Sequence, residues 1–371
     1  MFFLTPRHVK QGSAFIKDAK KLLAYKRDLW SDAAVAEFEA GIRKLEEATK
    51  RRQPREIEEA AGALDKMAGT LIKPVADAGL RENCEVFLVA IVIALGVRTY
   101  FLQPFTIPTG SMQPTLNGII GHPTTEPPPN IVVRLFQTAV FGRTWVDVVS
   151  KTDDVILDIQ EVKRFGFLTR TEIRCAHNSY VINCPKRTLI DSLRPPPPGQ
   201  AVKAGEVITR GYHDTGDHVF VDKFSYNFRR PARGDVFVFN TLNIPTTDNV
   251  ANMMQGPSQF YIKRLAGLPG DELRIASPQL FVNGKRAEGK PFERVMSAQD
   301  GYRGYAQGPS DGVLWKPAET FTLPEKSYFA LGDNSYNSQD SRYWRTVPQQ
   351  NIMGRGVLVY WPFTRHWGPI N

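Results

Sequence analysis

The sequence predicts a mostly β protein with a helical N-terminal part. Short runs rich in β-branched and aromatic residues, bounded by Gly, Pro, Asn or Asp, recur through the C-terminal half. Before about residue 80 the apolar residues recur at helical spacing instead, and an uninterrupted apolar run separates the two parts. We therefore predict an antiparallel β domain with barrel-like coiled sheets, preceded by a transmembrane helix and an N-terminal α-helical hairpin.

Composition limits the classes of function. The 371 residues are 42% hydrophobic and 23% charged, which is ordinary for a chain that folds into two or three units. The formal charge of +9 is not accompanied by a nucleic-acid-binding motif or by a basic block interleaved with aromatic residues. The three cysteines lack the spacing and the histidine partners of a zinc site. Neither nucleic-acid binding nor a metal site is predicted.

Residues 1–83 are predicted to form a helical cytoplasmic extension. Two stretches with helical apolar periodicity, 35–45 and 57–71, flank a basic, proline-containing joint at residues 50–56. This pattern is typical of a helical hairpin. Since no catalytic constellation occurs in it, we interpret it as an adaptor or spacer.

Residues 84–104 are predicted to be the transmembrane helix. Residues 86–97 are uninterruptedly apolar, and residues 99–102 extend the run past Arg98 toward the roughly 20 residues that a span needs. Basic residues before the run favour a cytoplasmic N-terminus, so everything after about residue 103 would lie outside. The alternative is a core helix of a soluble protein.

Two segments contain candidate catalytic residues. In YIKRLAGLPGDEL, strand alternation places Lys263 on one face between Tyr261 and Leu265, and desolvation there would lower its pKa toward that of a base. The alternative is a lysine at a strand edge with its ammonium in water. In IPTGSMQPTL, two prolines and a glycine restrict the loop that presents Ser111. A serine hydroxyl becomes a good nucleophile when a neighbouring base takes its proton, and lysine is one such base. None of the histidines has the motif context of a triad.

Four stretches, in this order, resemble bacterial type I signal peptidases, the membrane-anchored Ser/Lys proteases that remove signal peptides. They are FTIPTGSMQPTL, GDHVFVDKFSYNFRRPARGDVFVF, YIKRLAGLPGDEL and YFALGDNSYNSQDSRYW. The resemblance covers about residues 86–116 and 216–362. It implies a β catalytic domain over 105–362 and leaves 363–371 as a C-terminal tail.

The resemblance implies a role for each matching residue. Ser111 would be the nucleophile and Lys263 the general base. The Ser111 N–H and the Thr109 hydroxyl would form the oxyanion hole, and Ser338 would orient the lysine. Charged positions in a supporting shell, where plain structural ion pairing is the alternative, are Arg264, Asp333, Asp340 and Arg342.

The same resemblance implies a substrate and a location. The substrates would be pre-proteins carrying signal peptides, cut after small residues, without a metal or cofactor. The chain would cross the bacterial inner membrane once, in contact with the lipid bilayer and with its catalytic domain on the outer face. The sequence carries no signal of an oligomeric state.

The chain departs from the family pattern at three places. Thr109 stands where many relatives have serine, and Ser335 and Tyr336 replace an Arg-Asp pair, which puts the local ion-pair network in doubt. Residues 117–215 are an insertion. Its β-type runs between proline-rich stretches predict an inserted β subdomain of unassigned function.

Cys175 and Cys184, with eight residues between them in the insertion, are predicted to form a disulfide in an oxidising compartment. Two separate buried thiols are the alternative.

Two other functions stay open at this point. A catalytically silent membrane scaffold would have lost Ser111 or Lys263, yet both are present. A soluble, self-cleaving Ser/Lys repressor would carry a DNA-binding helix-turn-helix in place of the membrane anchor.

Overall fold

The computed structural model describes residues 6–72, 78–164, 168–244 and 260–370. The chain divides into two compact units, residues 1–91 and 92–371. Each unit is described by itself, and the predicted boundaries at residues 83, 104 and 362 stay predictions.

The N-terminal unit contains three amphipathic helices. The predicted hairpin is present as α2 (Asp32–Arg51) and α3 (Pro54–Leu71), and α1 (Arg7–Lys26) packs with both of them. Ser31 caps α2 by accepting a hydrogen bond from the Ala34 N–H. The sequence had not separated α1 as a third helix. Buried side chains that these helices share are Phe38, Ile42, Leu45, Ile57 and Leu64.

The segment predicted to cross a membrane is part of helix α4 (Ala78–Tyr100). Across the described parts of the chain, no helix combines the length and the apolar character needed to cross a membrane. The apolar run of residues 86–97 rises only about 18 Å at 1.5 Å per residue. Charged residues precede it, Arg98 follows it, and the chain enters strand β1 at Leu102. The predicted transmembrane helix over 84–104 is therefore not supported.

A large antiparallel sheet forms the centre of the second unit, which confirms the predicted fold class. Its order within the described residues is β1-β9-β18-β10-β11-β16-β17, with β19 paired to β18. The strands are β1 (Leu102–Thr106), β9 (His218–Asp222), β10 (Val236–Asn240), β11 (Phe260–Gly267), β16 (Ser327–Leu331), β17 (Val347–Pro348), β18 (Ile352–Trp361) and β19 (Gly368–Pro369).

Strand β10 is buried on both faces, as its continuous apolar sequence requires. Phe237 and Phe239 pack into one apolar cluster, and Val236 and Val238 pack into another on the opposite side. Met112, the residue after Ser111, belongs to the second cluster and is 0% exposed. The core thus fixes the serine loop against the sheet.

A smaller sheet packs beside this one around a separate apolar cluster. Its strand order is β14-β13-β12-β15, and the helix Lys290–Met296 contributes Phe292 and Met296 to the same cluster. The strands are β12 (Glu272–Ala276), β13 (Gln279–Val282), β14 (Lys285–Arg286) and β15 (Thr320–Thr322).

Within its described residues the insertion has the β character expected of it, together with helical segments that the sequence did not predict, including the short consecutive segments Lys186–Thr188 and Leu189–Leu193. Helix α5 (Ile131–Phe141) begins after Asn130, which accepts from the Val133 N–H, and ends at Gly142 in the left-handed conformation. The strands form two sheets, β2-β8-β3 and β6-β5-β4-β7. They are β2 (Ile120–Pro123), β3 (Arg143–Val149), β4 (Asp154–Arg164), β5 (Leu168–Cys175), β6 (Ser179–Ile182), β7 (Ala201–Val202) and β8 (Val207–Asp214).

Cys175 and Cys184 are both free and buried, contrary to the predicted disulfide. In the hairpin of β5 and β6 the register pairs Arg174 with Ser179, so the turn follows Cys175 directly. Cys184 lies beyond the opposite end of β6. The hairpin register therefore separates the two sulfur atoms, and burial raises the pKa of the Cys184 thiol to about 12.

Candidate active site

Ser111 lies in a single 3₁₀ turn, Gly110–Met112, that follows β1 and the extended residue Thr109. The backbone of this turn is held from a distant part of the chain. The Asn334 N–H donates to the Ser111 carbonyl at 3.0 Å, and Asn334 Nδ2 donates to the Gly110 carbonyl at 3.2 Å. With Met112 inserted into the core, the direction of the serine side chain is set from both sides.

Lys263 reaches this serine from strand β11. Its Nζ atom is 2.6 Å from Ser111 Oγ, although 152 residues separate the two in sequence. The lysine is 5% exposed and the serine 6%. The structure thus brings together the two residues that the sequence pattern singled out, in hydrogen-bonding contact and away from bulk water.

Burial lowers the pKa of Lys263 to about 8. The carboxylates of Asp340 and Asp333 raise this pKa, and the guanidinium of Arg342 lowers it, but desolvation is the largest effect. Leu265 on the same strand is fully buried, and the Tyr261 ring centroid lies 5.6 Å from Nζ. A substantial fraction of the amine is therefore neutral near pH 8.

Ser338 and Thr109 both line the cleft that contains Ser111 and Lys263. The Ser338 hydroxyl is buried and makes no hydrogen bond to any residue that the structure describes. A Cβ atom at Gly332 would lie 2.1 Å from Ser338 Oγ and 2.6 Å from the Ser111 carbonyl oxygen, so only glycine fits there. The orienting role of Ser338 and the oxyanion role of Thr109 stay predictions.

Arg264, the residue after the lysine, forms a fully buried ion pair with Asp333. Its Nε and Nη2 atoms donate to the two carboxylate oxygens at 2.8 and 2.7 Å, and Nη1 donates to the Gly234 carbonyl at 2.7 Å. The Thr115 hydroxyl donates to Asp333 and accepts from Arg264. Thr115 lies four residues after Ser111, so this network ties the serine loop to β11 and to the end of β16.

Arg342 and Asp340 form a second buried pair, with contacts of 2.8 and 2.9 Å. Arg342 also donates to the carbonyls of Ser335 at 2.6 Å and Ser338 at 3.2 Å, and Asp340 accepts from the Gly332 N–H. These contacts form without a charged side chain at Ser335, where the resemblance predicts one. The doubt that the sequence raised about this network is resolved by backbone carbonyls acting as acceptors.

The cleft around the serine and the lysine has a volume of about 700 Å³. Residues 260–262 of β11 form part of its lining, and in the described part of the chain β16 pairs only from Arg264 onward. Their outer backbone edge is thus open for an added strand. Other lining residues are Ile107, Gly110, Gln113, Ile119, Ile120, Arg187, Thr188, Asp191, Ser192, Tyr336, Asn337, Gln339 and Tyr343.

Sequence reasoning did not single out Thr115, Asn334 or Gly332. Thr115 and Asn334 lie inside the stretches that resemble the family. A sequence does not show, however, that Thr115 bridges Arg264, 149 residues away, and Asp333, 218 residues away. A glycine beside an aspartate is a usual turn signal, and Gly332 could have been singled out as a position of close backbone approach.

Comparison with known proteins identifies the family. The profile described as "Signal peptidase, peptidase S26" matches residues 211–361. The signal peptidase I of Bacillus caldolyticus is 32% identical over 150 residues, which are 40% of this chain and 72% of that protein. The chain belongs to the S26 signal peptidase family.

Two further relatives show how far the S26 match extends. The signal peptidase I of Leptolyngbya laminosa is 37% identical over 154 residues, or 41% of this chain. The chain spans 64% of that relative's length. A solved signal peptidase I from Enterococcus faecalis is 28% identical, with 34% of this chain and 97% of that chain covered at a TM-score of 0.25. The N-terminal helices lie outside the region that the S26 profile matches.

Proposed function

We propose that the protein is a serine endopeptidase that removes N-terminal signal peptides by a Ser111/Lys263 dyad. The 2.6 Å contact between Lys263 Nζ and Ser111 Oγ, buried from water, is the observation that carries this proposal. A lysine in such a contact is suited to a base, because desolvation favours its neutral form. The S26 relatives, which are named signal peptidases, support the choice of substrate.

The reaction proceeds in two halves. Neutral Lys263 takes the Ser111 proton as Oγ attacks the scissile carbonyl, and the resulting ammonium protonates the departing amine as the C–N bond breaks. In the second half a water gives its proton to Lys263 and attacks the acyl ester, and Ser111 regains a proton as the new carboxyl group leaves. The Ser111 N–H and the Thr109 hydroxyl stabilise the oxyanion, at about 3 kcal/mol for each donor.

The open edge of residues 260–262 gives the substrate a binding mode. An extended peptide would add to this edge by main-chain hydrogen bonds, with alternate side chains directed into the cleft. The resemblance to signal peptidases implies small side chains at the first and third positions before the cut. This agrees with the A-x-A pattern of signal peptide cleavage sites.

Contact with a lipid bilayer is the remaining part of the proposal. Consecutive side chains of α4 are exposed. The exposed fractions of Val86, Phe87 and Leu88 are 65%, 68% and 65%. A helix with apolar side chains exposed on all sides is unfavourable in water and favours lipid. Flotation of the full chain with lipid vesicles tests this part: protein that stays at the bottom of the gradient would contradict it.

The test of the activity uses the purified full chain and a pre-protein in detergent. We expect cleavage after a small residue, identified by mass spectrometry of the new N-terminus. Ser111→Ala should abolish cleavage while retaining the melting temperature of the parent protein. Ser297→Ala, an exposed serine outside the cleft, is the matched control and should cleave normally. Equal cleavage by the Ser111→Ala variant would refute the proposed nucleophile.

A further inference from the structure

One wall of the cleft that holds Ser111 and Lys263 comes from the insertion. Arg187, Asp191 and Ser192 line this cleft. These residues precede the region that the family profile matches, which begins at residue 211. The insertion, residues 117–215, therefore contributes surface to the site itself.

This wall is packed firmly against the strand that follows the serine loop. A Cβ atom at Gly121 of β2 would lie 2.5 Å from Ser192 Cβ, so the two backbones approach as closely as a glycine allows. The Thr209 hydroxyl donates to the Leu193 carbonyl at 3.5 Å, and Leu189 and Leu193 are buried. The apolar side of the segment 186–193 is thus fixed, and its other side faces the cleft.

The cleft-facing side of the wall is charged. Arg187 Nε lies 3.4 Å from Asp191 Oδ2, and the two side chains are 76% and 60% exposed. An exposed pair of this kind contributes little and opens easily, which leaves the guanidinium available to another carboxylate. Lys186 and Arg194 flank the pair in sequence but do not line the cleft, so Arg187 is the cation of this segment that faces it.

We propose that the segment 186–194 is a substrate-selecting wall that favours acidic residues beside the cleavage site. Arg187 is the specificity-determining residue, since its planar guanidinium can bind a carboxylate with two hydrogen bonds. This inference rests on the proposed function, because the selected group is a side chain of the peptide that Ser111 cuts.

The experiment uses peptides with alanine at the first and third positions before the cut. Glu, Gln or Lys is placed in turn at the second and fourth positions before the cut and at the first two positions after it. For the wild-type protein we expect kcat/KM to be about five- to tenfold higher for Glu than for Lys at one or more of these positions. Arg187→Glu should abolish or invert this ratio.

Arg174→Glu provides the matched control. It makes the same change of charge in the same insertion, on the exposed surface of β5 outside the cleft, and should keep the wild-type ratio. If the ratio in Arg187→Glu equals the wild-type ratio, or if Arg174→Glu shifts it equally, the selecting wall is refuted. A purely structural effect of the substitution would change kcat/KM for the Glu and Lys peptides by the same factor and leave their ratio unchanged.

Peptide binding to the inactive Ser111→Ala variant, with and without Arg187→Glu, tests this inference separately from the proposed function. Fluorescence anisotropy of labelled peptides gives their dissociation constants without any cleavage. Tighter binding of Glu than of Lys peptides, reversed by Arg187→Glu, would support the wall even if no peptide were cut. Cleavage without charge preference would uphold the proposed function and refute the wall. The absence of both cleavage and charge-dependent binding would refute both.

Discussion

At the scale of single residues, Lys263 occupies a position where burial favours the neutral form that the proposed general-base role requires. Desolvation lowers its pKa to about 8, while two carboxylates act in the opposite direction. Each of those carboxylates is paired with an arginine, Asp333 with Arg264 and Asp340 with Arg342, which limits its effect on the lysine. The ion pairs thus place negative charge near Lys263 while its pKa stays below the ordinary value.

The first prediction concerns pH. Because the pKa of Lys263 lies below its ordinary value, the neutral fraction of the amine rises with pH, so kcat/KM should increase from pH 6 and level off above about pH 8. Lys263→Arg should be nearly as inactive as Lys263→Ala, since a guanidinium keeps its proton throughout this range. A pH–rate profile on a signal-peptide substrate measures both. Substantial activity of the arginine variant, or a wild-type rate that falls between pH 6 and 8, would refute the general-base role.

The second prediction concerns stability. The pKa of Lys263 is lower in the folded state than in the unfolded state, so the unfolded chain binds more protons between about pH 8 and 10.5 and the lysine is destabilising below that window. Lys263→Met should therefore stabilise the protein at pH 7, by about 3 kcal/mol, while abolishing cleavage. The gain should shrink as the pH rises to 10. Denaturant unfolding at both pH values measures it, and Lys285→Met, at an exposed lysine, should show no such pH dependence.

The third prediction concerns Ser338. Within the described residues its buried hydroxyl has no hydrogen-bond partner, so Ser338→Ala should leave the melting temperature unchanged or slightly higher. If the hydroxyl orients the lysine during catalysis, kcat should fall about 10- to 100-fold, the value of one hydrogen bond to a charged group. A stable variant with full kcat would show that Ser338 has no part in the reaction.

At the scale of secondary-structure elements, buried polar networks join segments that the apolar core alone would leave free to shift. Arg264 of β11 and Asp333 after β16 are both 0% exposed, and Thr115 connects them to the serine loop. Three elements that converge on the dyad thus share one network. A displacement of any of them would alter the distance between the lysine and the serine.

The fourth prediction follows from this network. Asp333→Ala leaves the buried Arg264 charge without a partner, so the free energy of unfolding should fall by about 3 to 5 kcal/mol. The double variant Arg264→Met, Asp333→Leu removes both charges and should recover most of that loss. Chemical denaturation measures both, and Glu59→Ala, at an exposed pair in α3, is a control with little expected change. A double variant as unstable as the single one would show that the network is needed for packing rather than for charge balance.

At the scale of the whole molecule, the alternating and continuous apolar runs were sufficient to predict antiparallel sheets, because strand periodicity depends on local sequence. The structure also brings Ser111 and Lys263 into contact, as the two sequence stretches that contain them predicted. Partners such as Thr115 and Asp333 could not be predicted, since their contact depends on tertiary folding across 218 residues. Helix α5 was missed because its first turn is β-branched, although its Asn130 and Gly142 ends carry recognisable caps.

The two contradicted or unsupported expectations have physical causes of the same kind. The predicted disulfide depended on the short spacing of Cys175 and Cys184, whereas the register places the hairpin turn directly after Cys175 and leaves Cys184 beyond the opposite end of β6. The predicted transmembrane helix depended on residues beyond Arg98, and the chain leaves the helix at Tyr100 to enter β1.

The different environments of the three cysteines provide a ready attachment point for a spectroscopic probe. Cys84 is exposed on α4, whereas Cys175 and Cys184 are buried and have raised thiol pKa values. The fifth prediction is that a maleimide dye reacts once with the native protein and three times after denaturation without reductant. Intact-mass spectrometry counts the adducts, and a single adduct after denaturation would reveal a disulfide between the other two. A dye or spin label on unmodified wild-type protein would then report on α4 directly, for example as its surroundings change from buffer to lipid.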